Sequence, residues 1–247
     1  MHETRLVMGM PITVELADAT ATQAHIDRVF AYFTYVDETF STYKESSEIS
    51  QINNGQIDVD RYSEDMRTIL RLSEETKQET QGYFDIAHDG HLDPSGIVKG
   101  WAIHNAARLL DEANLANYIV DAGGDMQVAG KKETHLWRIG IRNPFNRHEN
   151  VKVLALTDCG VATSGTAIRG QHIYDPHHPD KRLSNDILSM TVIGPNVYEA
   201  DRFATAAFAM GRKGLSFIEA LSGFEGYLID AQARATYTSG FSRYVLS

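Results

Sequence analysis

The sequence predicts an α+β fold with a mixed or antiparallel sheet and flanking helices. Three observations carry this. Short apolar runs that read as strands crowd the middle of the chain, segments of helical period cluster early and late, and no regular strand–helix alternation of a doubly wound sheet is present. No repeat and no Pro- or Ser-rich linker divides the 247 residues, so residues 1–247 are expected to form one domain with two lobes.

Residues 4–15 alternate around Gly9 and Pro11 and predict one strand with a kink, since both residues disturb a ladder. Ile26, Val29, Phe30, Phe33 and Val36 then recur at helical spacing. The polar stretch FSTYKESSEISQINNG is expected to run into a loop. Met66, Ile69, Leu70 and Ser73 mark a second helix, with Ser63, Glu64 and Asp65 suited to its first turn. GYFDIAHDGHLDPSG predicts a glycine-rich turn into a third helix over 97–114, whose wet side carries His104, Asn105, Arg108 and Asp111.

NYIVDAGGD reads as a short strand ending in Gly123-Gly124-Asp125, and HLWRIGI, VKVLALT and LSMTVIG as further strands. The helix EADRFATAAFAMG follows, with Asn196 and Glu199 placed as its cap. Leu215, Phe217, Ile218 and Leu221 predict one more helix, and GYLID and RYVLS closing strands.

Composition narrows the function. A net charge of −10 and a pI near 5.4 argue against a nucleic-acid-binding surface and against attachment to anionic membranes. An acidic protein that handles phosphate needs a cation. The single cysteine, Cys159, rules out an internal disulfide and a thiolate-clustered zinc site, which suits a reducing compartment. No run of eighteen apolar residues and no basic-then-apolar start occurs, so a cytoplasmic protein without membrane insertion is expected.

Four segments could carry chemistry. In the late helix, Asp201 and Thr205 stand four apart, which stacks a carboxylate and a hydroxyl on one face. A hard cation such as magnesium takes such oxygen ligands. The plain alternative is a solvated Asp beside a Thr bonded back to its own helix. HLDPSGIVKGWA brackets Lys99 between Gly96 and Gly100 near a helix start, where backbone amides favour an anion, although a loop glycine beside a solvated lysine fits equally. It lacks the spacing of a phosphate-binding P-loop. Gly123-Gly124-Asp125 lacks dinucleotide-fingerprint spacing and reads more readily as a hairpin turn. GVATSGTAIRGQHIYDPHHPD offers the hydroxyls of Thr163, Ser164 and Thr166 and a histidine, His172, whose ordinary pKa suits a general base, although a lone histidine is more often a satisfied structural residue.

In order, MGMPITVEL, FSTYKESSEISQIN, GYFDIAHDG, DPSGIVKGWA, DAGGD, TSGTAIRGQHIYDP and DRFATAAFAMG resemble the motifs of the FAD:protein FMN transferase family, often called ApbE, over nearly the whole chain. The resemblance implies an ApbE-like, T-fold-related architecture with FAD in a cleft between two lobes. It implies that FMN is transferred to a Thr or Ser hydroxyl of an acceptor protein and that AMP leaves. Magnesium is then held by Asp201 and Thr205 with a backbone carbonyl, that of Val98. His172 falls on the family's base, Met8 and Tyr43 lie along the flavin or its nucleotide, and Asp85, Lys99, Gly123, Gly124, Asp125, Thr163 and Ser164 line the FAD cleft. Met10 and DPHHPD depart from the family pattern, which alters the expected cleft rim. A magnesium-dependent FAD pyrophosphatase giving FMN and AMP, and a non-catalytic flavin-binding protein, are the competing readings.

Overall fold

A computed structural model describes residues 1–165, 176–177 and 186–246. Among these, eight strands form one sheet in the order His2–Val7, Met10–Leu16, Tyr118–Ala122, Asp125–Ala129, Cys159–Gly165, Ile187–Gly194, Glu225–Asp230 and Ala235–Tyr237, and every pairing recorded in it is antiparallel.

The N-terminal segment is a hairpin instead of one kinked strand: β1 (His2–Val7) pairs with β2 (Met10–Leu16), with Val7 opposite Met10. Met8 and Gly9 both have positive φ, 54° and 70°, as a two-residue primed turn requires. The turn was illegible because Met is not a residue that favours the left-handed region. The polar stretch expected to end in a loop holds α2 (Glu48–Asn53), capped by the Ser47 hydroxyl and anchored by fully buried Ile49, before a turn at Asn54-Gly55. Residues 83–95 contain a small hairpin, β3 (Ala87–His88) with β4 (His91–Leu92), turning on Asp89 and Gly90.

The remaining early helices are α1 (Gln23–Phe40), α3 (Glu64–Glu79) and α4 (Ser95–Glu112). Their apolar stripes, with Ile12, Val14, Val120 and Ala122 of the sheet, make the largest core. β5 (Tyr118–Ala122) and β6 (Asp125–Ala129) are joined through Gly123-Gly124, the hairpin that the sequence favoured. β9 (Cys159–Gly165) lies between β6 and β10 (Ile187–Gly194). The sequence reading did not pick out β9, because a strand covered on both faces shows little alternation.

Beyond β10, α5 (Val197–Ala209) and α6 (Lys213–Ala220) cover β9, β10 and β11 (Glu225–Asp230) with a second apolar core. The other sheet face is closed by a ribbon, β7 (Trp137–Asn143) with β8 (Asn146–Leu156). RYVLS is not a strand of the sheet. A 3-10 turn, Phe241–Tyr244, buries Phe241 against Tyr227, and only an isolated bridge from Val245 reaches Leu154; β12 (Ala235–Tyr237) supplies the outer strand. Among the described residues, no helix is long and apolar enough to cross a membrane.

Candidate active site

Antiparallel order brings the start of β2, the β5–β6 turn and the end of β9 to one end of the sheet. The Gly123 N–H donates to the Pro11 carbonyl at 3.1 Å, so the two hairpin turns lie side by side. Asp125, at the first position of β6, is 2 % exposed, and its Oδ1 accepts the Thr163 N–H at 2.8 Å. Thr163 Oγ1 in turn meets Thr191 Oγ1 at 2.8 Å.

Against this end packs α5. Its first turn is satisfied twice: the Asn196 side chain accepts the Glu199 N–H, and buried Gln127 accepts the Val197 N–H at 2.9 Å. The helix then lies directly on α4. Gly100 makes that approach possible, since a Cβ there would come within 2.6 Å of the Asp201 Cβ and 2.9 Å of the Val197 carbonyl. The Gly100 N–H donates to Asp201 Oδ2 at 2.8 Å, and the carboxylate is 2 % exposed.

Lys99 completes the cluster. Its ammonium pairs with Asp125 Oδ2 and stands 3.3 Å from Asp201 Oδ1. Burial pushes the Asp201 carboxyl well above the ordinary carboxylate range, with the Lys99 charge pulling it down and the Asp125 charge pushing it up. One turn further along α5, Thr205 Oγ1 lies 3.3 Å from the Ser164 hydroxyl. Asp201 and Thr205 therefore lie on one face of α5, toward α4 and β9, as their spacing predicted.

The donor set fits a hard cation. The Asp201 carboxylate and the Thr205 and Ser164 hydroxyls are oxygen donors, and the spot beside Asp201 already holds the positive charge of Lys99. Among the described residues, no group of three His, Cys, Asp or Glu side chains forms a metal site, so an ion here depends on mixed oxygens. Val98 sits in α4 with its side chain buried, which leaves its carbonyl as the atom that could reach an ion.

The other expected residues divide. Met8 is at the β1–β2 turn, next to the Gly123-Gly124 turn. Asp85 accepts the Ala87 N–H and pairs with Lys77 at 2.7 Å. Tyr43 is 97 % exposed and lines a hollow of 330 Å³ with Ser50, Asn53, His91 and Asp93. Asn53 braces that hollow by exchanging two hydrogen bonds with the Leu92 backbone. His172 and Thr166 lie outside the described residues.

The sequence reading missed Arg202. Buried beside Asp201, it pairs with Glu199 and Glu79 and donates to Thr76 Oγ1 at 3.2 Å, tying α5 to α3. A cation three residues after Glu199, within an otherwise apolar helix beyond Asp201, was its only sequence signal.

Residues 8–90 and 87–228 match the model of the ApbE family. The chain is 27% identical over 158 residues to a FAD:protein FMN transferase of Salmonella typhimurium, covering 56% of this chain and 45% of that protein. A FAD:protein FMN transferase of Treponema pallidum is 27% identical over 60% of this chain and 46% of its own length. The aligned part thus spans less than half of these curated relatives. The fold superposes on the flavin transferase ApbE of Vibrio cholerae with a TM-score of 0.83 at 20% identity, covering 99% of this chain and 98% of that one. For the ApbE protein of Thermotoga maritima the TM-score is 0.87 at 18% identity, with 100% and 99% covered.

Proposed function

The chain belongs to the ApbE family, and from that premise we propose that it is an FAD:protein FMN transferase that moves FMN from FAD to a Thr or Ser hydroxyl of an acceptor protein and releases AMP. The observation that carries this reading is the convergence of Asp201, Thr205, Ser164, Lys99 and Asp125 at one end of the sheet. FAD would lie in a cleft between the part covered by α1–α4 and the part covered by α5 and α6. Asp201, Thr205 and the Val98 carbonyl would hold magnesium, whose bound charge would offset that of the pyrophosphate.

The chain's own groups account for the rest of the chemistry. Lys99 adds a fixed positive charge beside Asp201, and Asp125 anchors the end of β9 through the Thr163 N–H. The Gly123-Gly124 turn exposes backbone to a ligand without side chains in the way. The acceptor oxygen would attack the FMN phosphorus; the new P–O bond would form as the P–O bond to AMP breaks, and the acceptor's proton would pass to His172. That assignment rests on the HIYDP motif.

Incubation with FAD, magnesium and a candidate acceptor, followed by denaturing electrophoresis, tests the proposal. Fluorescent flavin on the denatured acceptor is expected. Free FMN without labelled acceptor would replace transfer by hydrolysis, and bound FAD without AMP would replace it by storage.

A further inference from the structure

We propose that Lys99 is a built-in counter-ion that sets how tightly the Asp201 site holds a divalent cation. Its ammonium bridges Asp125 and Asp201, and a divalent ion would take Asp201 while the ammonium remains on Asp125. The inference rests on the metal reading of Asp201 given above.

The geometry favours this division. Both carboxylates are 2 % exposed, and each has a second anchor, the Thr163 N–H for Asp125 and the Gly100 N–H for Asp201. Neither can swing away to relieve repulsion. The Lys99 side chain is 17 % exposed and its tip is closer to Asp125 than to Asp201, so Asp201 is the partner more easily surrendered. Among these three side chains, two carboxylates against one ammonium leave a single net negative charge, where without Lys99 an ion would meet two. Like charges buried in this way are costly to leave uncompensated. Lys99 thus offsets the repulsion between Asp125 and Asp201 and weakens their hold on an ion, and the ion would be retained firmly only when the phosphates of a dinucleotide add their own charge.

Manganese(II) binding, followed by the electron paramagnetic resonance of the free ion and by calorimetry, tests this on the intact chain without FAD. Lys99→Met raises the local negative charge and is expected to tighten manganese by about tenfold or more, a small share of the Coulomb energy available at such distances. Its melting temperature in chelator should fall below that of the wild type, and manganese should restore more of it. Asp125→Asn keeps an acceptor for the Thr163 N–H, removes one negative charge, and should weaken manganese by a similar factor. The double variant Lys99→Met/Asp125→Asn returns to the original charge count and to wild-type affinity; if Lys99→Met alone does not fold, the two other variants still decide. Affinity unchanged or weaker in Lys99→Met, or unchanged in Asp125→Asn, overturns the counter-ion role while binding that Asp201→Asn abolishes keeps the metal reading. Absence of manganese binding in every chain, wild type included, overturns both.

Discussion

Asp201 is held by the Gly100 N–H and Lys99, and Asn can keep the first contact but not the charge. Asp201→Asn is therefore expected to lower FMN transfer at least a hundredfold, about 3 kcal/mol of activation free energy, with a melting temperature at or above that of the wild type. A collapsed fold, or transfer within threefold of wild type, would remove the carboxylate from its role. Asp121 behaves differently. Burial pushes its carboxyl up to about 6, with Asp125 adding to the rise while the Gly124 N–H and the Arg142 charge oppose it. The native state then binds a proton more readily than the unfolded chain, so stability falls as pH rises from about 4 through 6. Asp121→Asn retains an acceptor for the Gly124 N–H and should add roughly 1–2 kcal/mol above pH 6.5, with no gain near pH 4; denaturant melts at both pH values check the sign. At this scale the Asp201–Thr205 pair was legible, because four residues make one helical turn. The bond from Lys99 to Asp125 was not, because no local period relates them.

Between elements, the contact of α4 with α5 decides the site. It is close because Gly100 presents no side chain to Asp201 and Val197. Gly100→Ala should force the helices apart, costing about 1–3 kcal/mol, and should depress transfer more than stability alone explains. Equal transfer per folded molecule would show that the site tolerates the shift. Asn196 was legible as the cap of α5, since capping chemistry is local. The second restraint on that helix start, from Gln127, joins distant parts of the chain and left no mark in the local pattern. Likewise α2 was hidden: six residues are too few to display a helical period, and its helix follows from Ile49 reaching the core.

Across the whole molecule, the sheet is stable only with both faces covered. Helices cover one, and the β7–β8 ribbon covers the other through Trp137, Ile139, Leu154 and Leu156. Trp137 is 3 % exposed and donates its indole N–H to the Ala129 carbonyl at 2.7 Å. Trp137→Ala should cost about 3–5 kcal/mol and expose the sheet, seen as a lowered melting temperature and increased dye binding; a loss under 1 kcal/mol would mean that the ribbon is not needed to seal the core. The sequence by itself determined the α+β class, most helices, the cap of α5 and the Asp201–Thr205 face, since these follow from composition, periodicity and neighbour chemistry. Only the tertiary structure decided that Lys99, Asp125 and Asp201 share one buried charge cluster. The order of antiparallel strands and the approach of two helices set these distances, and both are properties of packing that no local pattern encodes.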